Sequence, residues 1–290
     1  MKPLWVWRVL RPIAIGLVSL AVLFTVTVAV YRWRGPTQVQ RDALAAMQER
    51  TQPQNGVNAF PLLWYMQYDV PDIELNARMA SEVADAKARM ARESEPFSPE
   101  PAARKQMEAS GDASHLCDGV SAGCLDKVAT DPRTIRDVLA TFPKMRAREA
   151  AFYNTAFFWS DFPADYRVVL PFPNPGAAQR IWLSAAALQY VEGDQSGALA
   201  NVCRNIGTWR RLRHGTNSLV GSSMATRQAD AGMYLFGEML AALPAGETVP
   251  GECGEALRPI EVADADRCGE LPNEFGFVTS STRNTAAQAK

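Results

Sequence analysis

The longest apolar stretch of the chain lies near its N-terminus. Residues 12–30 contain no ionisable side chain, and roughly 20 apolar residues in a helix are enough to cross the hydrocarbon core of a bilayer. Aromatic residues are typical of membrane interfaces, and four of them flank this stretch: Trp5, Trp7, Tyr31 and Trp33. The pattern predicts one transmembrane helix over 12–31, preceded by a short N-terminal segment, 1–11.

A cleaved signal peptide is the competing interpretation of this stretch. The apolar region of a signal peptide is about 7–15 residues long and is followed by small residues at the cleavage site. The stretch here is longer, and Thr27-Val28-Ala29 matches such a site only in part. We therefore expect an uncleaved anchor that contacts the lipid bilayer through residues 12–31.

Beyond the anchor, the apolar positions of several segments recur every three or four residues, which is typical of amphipathic helices. The most regular region is 177–243, where Gly193 ends one helix, Asp194 and Asn217 are expected to cap the next two, and Pro244 stops the last. The middle helix carries the clearest apolar stripe: Leu199, Val202, Ile206, Trp209 and Leu212. Because the connections have only two to four residues, we expect antiparallel helical hairpins.

The sequence thus predicts an all-α fold, in which one transmembrane helix is followed by a mostly helical soluble domain built of antiparallel helical hairpins. This domain is expected to cover 35–269, with a polar C-terminal tail over 270–290. The segment 182–202 resembles one tetratricopeptide repeat at five positions: Trp182, Ala186, Tyr190, Gly193 and Ala198. The resemblance implies a packed pair of helices, and it extends no further because no second copy follows at a 34-residue period.

Charge is distributed unevenly between the anchor and the soluble region. Residues 1–34 contain five basic residues and no acidic one, which leaves 25 basic against 31 acidic residues over 35–290, a net charge of about −6. Nucleic-acid binding favours basic surfaces, so no nucleic-acid partner is expected. Basic residues stand on both sides of the apolar stretch, so the positive-inside rule does not decide its orientation.

Cysteine spacing supplies the argument for orientation. Cys117 and Cys124 lie seven residues apart, Cys253 and Cys268 bracket a polar stretch, and Cys203 falls within a helical pattern. We expect two local disulfides and one free, buried thiol, which would place the domain in an oxidising compartment. Five ordinary thiols are the alternative. Neither pair has the spacing of a zinc site, and we predict no metal and no cofactor.

Few residues suggest chemistry. The chain lacks the common phosphate-binding, dinucleotide-binding, nucleophile-elbow and zinc-protease motifs. His115 lies in a loop, and His214 ends an Arg-rich helix, where a cation is favourable with the helix dipole. The aromatic, Pro-rich segment 159–176 holds two candidate catalytic carboxylates, Asp161 and Asp165, of the type that glycoside-processing enzymes use.

A second candidate site is basic. Four arginines could meet an anionic partner or form a solvated helix end: Arg204, Arg210, Arg211 and Arg213. Combining these observations, we expect a bacterial protein of the inner membrane with a periplasmic domain that serves protein interaction or scaffolding, with a protein partner in the envelope. The alternative is an envelope enzyme that acts on glycans through the carboxylates of 159–176.

Overall fold

The computed structural model describes residues 4–35, 37–48, 55–92, 95–99, 112–169, 173, 175–262 and 269–288. The chain divides into two units, Met1–Glu49 and Arg50–Lys290. The first unit contains two helices: α1 (Leu4–Arg34) and α2 (Gln38–Gln48). The second unit is also mostly helical, with these elements in chain order: β1 (Val57–Asn58), α3 (Ala59–Trp64), α4 (Leu75–Arg92), α5 (Cys124–Thr130), α6 (Pro132–Ala140), α7 (Pro143–Tyr153), β2 (Thr155–Phe157), α8 (Gly176–Val191), α9 (Gln195–His214), α10 (Leu219–Ala241), α11 (Glu252–Ala256) and α12 (Leu271–Gln288).

Helix α1 contains the apolar stretch found in the sequence. Its segment Ile13–Val30 is long and apolar enough to cross a membrane, and none of it is buried within the protein. The hydroxyls of Thr25 and Thr27 donate hydrogen bonds to the carbonyls of Ala21 and Leu23, so these polar groups are satisfied within the helix. The helix begins well before residue 12, and residues from Leu4 onward in the predicted N-terminal segment are helical.

Helices α8, α9 and α10 supply much of the core of the second unit. The predicted stripe of α9 is buried throughout, and Ile206 is only 1% exposed. Polar groups between these helices are also satisfied: the amide of Gln179 on α8 bonds to Asn205 and accepts from the indole of Trp209. A well-packed apolar stripe with a closed polar network fixes how the helices fit together.

Hydrogen bonds from α8 to α9 run in opposite order along the two helices, whereas those from α8 to α10 run in the same order. Gln189 near the end of α8 bonds to Asn201 early in α9, whereas Gln179 near the start of α8 bonds to Asn205 further along α9. Contacts between α8 and α10 instead run in the same order, with Gln179 bonding to the carbonyl of Gln228 and Tyr190 to that of Met239.

Two predicted helix caps have different outcomes. The carboxylate of Asp194 accepts from Gly197 N at 3.0 Å and caps α9 as predicted. The prediction for Asn217 is wrong, because Ser218 caps α10. The side chain of Asn217 makes two hydrogen bonds with the backbone of Ser160 instead. The prediction failed because Asn217 and Ser218 are both good capping residues, and a long-range contact engages the first.

One of the two predicted disulfides is correct, and the other is wrong. Cys117 and Cys124 are joined, with alpha carbons 5.0 Å apart, in agreement with the predicted pair. Cys253 is joined to Cys203, with alpha carbons 4.9 Å apart, although 50 residues separate them. The predicted Cys253–Cys268 bond and the predicted free thiol at Cys203 are therefore wrong. Packing of α11 on α9 sets this pairing, and Cys268 lies outside the described residues.

The irregular region after α7 is held in place by short extended contacts. Strand β2 pairs in parallel with β1, and Phe97 forms a parallel bridge with Val168. The predicted polar tail contains helix α12. This helix contacts the same region, because Ser280 Oγ accepts from Tyr166 N at 2.9 Å.

Candidate functional site

The two predicted carboxylates, Asp161 and Asp165, have different surroundings. Asp165 accepts from Arg167 through both carboxylate oxygens, at 2.8 and 3.0 Å. These hydrogen bonds lower the pKa of Asp165, whereas a glycosidase's general acid needs a raised pKa. Asp161 is exposed in the same segment. The two histidines of the chain are both exposed. His115 lies on the surface, 3.9 Å from the carboxylate of Asp112, and His214 is at the end of α9.

The four predicted arginines line different depressions around α9: Arg204 and Arg211 line one, Arg210 and Arg211 a second, and Arg210 and Arg213 a third. Arg210 donates to the carbonyls of Ala256 and Arg258 at the end of α11, at 2.6 and 2.8 Å, so its guanidinium holds that helix in place. Arg213 lies between α9 and α10, beside Met233 and Leu257. Arg204 and Arg211 share a different face of α9, one helical turn either side of Gly207.

These two arginines line a polar cleft of the second unit, which we call the α9 cleft. Its main lobe encloses about 540 Å³ and is lined by one face of α7, one face of α9 and two glutamates of α11: Arg146, Glu149, Ala150, Tyr153, Asn154, Asn201, Cys203, Arg204, Gly207, Thr208, Arg211, Glu252 and Glu255. Three of these residues also line a second lobe of about 330 Å³, which reaches His214, Gly215 and Arg258. The two lobes therefore form one elongated depression along α9.

Local helix geometry positions these side chains. Arg146, Glu149 and Tyr153 follow the three- and four-residue spacing that aligns side chains on one face of α7. The last carbonyl of α7, on Tyr153, accepts from Arg211 at 3.1 Å, and this contact ties the end of α7 to α9. The Cys203–Cys253 bond ties α11 to the same helix. The linings from α7 and α11 are thus both attached to α9.

The lining of the main lobe includes a half-buried acid, Glu149. Glu149 accepts a hydrogen bond from the hydroxyl of Tyr153, and burial raises the pKa of Glu149. Burial and the neighbouring carboxylate raise the pKa of Tyr153 well above its ordinary value. The guanidinium of Arg204 lies 5.8 Å from the centre of the Tyr153 ring. This arrangement can bind charged and hydrogen-bonding groups of both signs.

Sequence reasoning found part of this cleft and missed the rest. Arg204 and Arg211 were candidates because the end of α9 is rich in arginine. Glu149 and Tyr153 were not, because a charged stripe on a short helix is typical of a solvated surface. The relevant signal is the lack of bulk at Gly207 in the middle of α9, which has meaning only once α7 and α11 are known to flank it.

Comparisons of this chain with known protein families, with curated proteins and with solved structures found no match.

Proposed function

We propose that this chain is a single-pass, membrane-anchored protein of the bacterial envelope whose helical domain lies in the periplasm and binds a protein partner. In this proposal α1 crosses the inner membrane, and the helices of the second unit form antiparallel hairpins that present the α9 cleft. The exposed apolar segment Ile13–Val30 is the observation that carries the anchor, since so much exposed apolar surface is unfavourable in water.

The location of the domain rests on the two disulfides. Bonds such as Cys203–Cys253 persist in oxidising compartments and are rare in the reducing cytosol. A domain tied together by two such bonds is therefore best suited to the periplasmic side of the inner membrane.

The role in binding rests on the α9 cleft. It is open, polar and elongated, and its charged groups come from three different helices. A partner that fills it would displace water from guanidinium and carboxylate groups already fixed by the fold, which lowers the entropy lost on binding.

In-membrane photocrosslinking tests this proposal. A photoreactive residue at Asn154, an exposed residue of the cleft lining, should capture a discrete protein partner in intact cells, and the same residue at Gly237, exposed on α10, should not. Capture at neither position, or equally at both, would contradict a binding role for the cleft.

A further inference from the structure

The length of the α9 cleft constrains what can fill it. The lining residues of α9 run from Asn201 to Gly215. At a rise of about 1.5 Å per residue, this stretch is roughly 21 Å long. An extended peptide rises about 3.3 Å per residue, so about six residues match that length. A compact small molecule would fill only one of the two lobes.

The charges along the cleft have both signs and come from different helices. Arg146 on α7 and Arg204 on α9 contribute cations, whereas Glu252 on α11 contributes an anion. Neither the guanidinium of Arg146 nor the carboxylate of Glu252 forms a hydrogen bond or ion pair with the residues that the structure describes. A polyanion would meet repulsion at Glu252, and a polycation at the arginines.

Gly207 lies in the middle of the α9 lining and is itself buried. A β-carbon added there would make ordinary contacts, at 3.8 Å with a terminal nitrogen of Arg211 and at 3.9 Å with Ala256 of α11. The small residue lets α11 lie close to α9, and the ligand groups would contact the exposed side chains that surround it, such as Arg146 and Arg204.

We propose that the α9 cleft binds an extended peptide segment of about six residues that carries both acidic and basic side chains. The acidic groups of the segment pair with Arg146 and Arg204, and a basic group pairs with Glu252. This inference rests on the proposed binding function and specifies the chemistry of the partner.

The burial of Glu149 adds to the selectivity for a mixed segment. Glu149 lines the main lobe, and burial raises the pKa of its carboxyl. A basic side chain placed beside it would stabilise the carboxylate. A wholly acidic ligand lacks that contribution.

Peptide binding to the full-length protein in detergent micelles tests the inference. The probes are fluorescein-labelled heptapeptides in a Gly/Ser background, in four sets: two Glu with two Lys in every arrangement, four Glu, four Lys, or no charge. We expect the tightest binding, by fluorescence anisotropy, within the mixed set. Equal or tighter binding of the four-Glu set, or no binding of any set, would overturn the proposed ligand class.

Matched variants locate the binding. Ala150→Trp, at an exposed position of the cleft lining, should weaken binding of the best mixed peptide at least tenfold by filling the cleft. Gly237→Trp, in open space on α10, should leave it unchanged. Glu252→Lys should shift the preference towards the four-Glu set. Unchanged affinity in Ala150→Trp would overturn the site. Partner capture at Asn154 without peptide binding would reject the ligand class but retain the proposed function, whereas loss of both results would reject both.

Discussion

Arg148 and Asp72 form an ion pair in which the two partners differ sharply in exposure. Arg148 Nε lies 2.9 Å from Asp72 Oδ1, and the arginine side chain is 3% exposed against 60% for the aspartate. The other guanidinium nitrogens donate to four backbone carbonyls of the turn after α3: Tyr65, Met66, Tyr68 and Val70. One buried side chain thus supplies hydrogen bonds to four carbonyls of a turn that lies outside the helices.

Removing this guanidinium should destabilise the domain strongly. We expect Arg148→Ala to lower the free energy of unfolding by about 3 kcal/mol, because several buried carbonyls lose a charged donor. The control is Arg136→Ala, since Arg136 pairs with Glu192 on the surface and such pairs contribute under about 1 kcal/mol. Denaturant unfolding of the full-length protein in micelles, followed by tryptophan fluorescence, measures both. Equal losses in the two variants would contradict the role of Arg148.

Two glycines should respond in opposite ways to the same substitution. A β-carbon at Gly232 would lie 2.7 Å from Ile206 Cγ1, where α10 approaches α9 closely. Gly232→Ala should therefore destabilise the domain by about 1–3 kcal/mol through overpacking. Gly207→Ala should be neutral or stabilising by up to about 1 kcal/mol, because alanine favours helix and its β-carbon would make only ordinary contacts, at 3.8 Å or more. Denaturant unfolding midpoints test this prediction. We expect a lower midpoint for Gly232→Ala and an unchanged or higher midpoint for Gly207→Ala.

The disulfide pairing yields a prediction that separates the two cysteine arrangements. Non-reducing peptide mapping should recover Cys203 linked to Cys253 and Cys117 linked to Cys124. Replacing Cys253 with alanine should lower stability by about 4 kcal/mol, since this bond closes a 50-residue loop. The shorter Cys117–Cys124 loop should contribute less, about 2 kcal/mol. A peptide joining Cys253 to Cys268 would refute the arrangement described here.

Glu149 should make the domain less stable as the pH rises. Burial raises its pKa above the ordinary value of 4.5, so the folded protein holds this proton more tightly than the unfolded chain does. The resulting stability is fully present below about pH 4.5 and is lost as the pH rises through the folded-state pKa. Glu149→Gln should therefore gain stability relative to the unmodified protein as the pH is raised from 4 to 7.

Asp165 provides the control of opposite sign. Its hydrogen bonds with Arg167 lower its pKa below the ordinary value of 3.8, so its contribution is present above that value and is lost as the pH falls. Asp165→Asn should therefore differ most from the unmodified protein at neutral pH, by being less stable. Unfolding curves at four pH values measure both variants, and parallel profiles for Glu149→Gln and the unmodified protein would contradict the burial of Glu149.

The local features of the fold were predictable from the sequence because their causes lie within a few residues. The apolar stripe around Ile206 and the cap at Asp194 follow from helix periodicity and from the preference of a helix start for short polar side chains. The Cys117–Cys124 pair was also predictable, since a short loop keeps its ends close. Each of these features depends on neighbours in the sequence.

The features that were missed depend on residues far apart in the chain. Cys203 lies next to Cys253 only because α11 packs on α9. Asn217 does not cap α10, because its side chain bonds to the backbone of Ser160, 57 residues away. The α9 cleft has the same origin, since Glu149, Gly207 and Glu252 share no local pattern. Helix periodicity assigns such residues to a face of a helix, but it does not say what stands opposite that face.

The central claim is that α1 anchors the chain and that the domain beyond it lies outside the cytoplasm. Two C-terminal fusions measure this most directly in a bacterial host: alkaline phosphatase, which needs disulfides formed outside the cytoplasm, and a green fluorescent protein that fluoresces only within it. The account predicts an active phosphatase fusion that stays with the membrane fraction and a dark fluorescent fusion. A fluorescent, phosphatase-inactive pair, or phosphatase activity released as soluble protein, would contradict it.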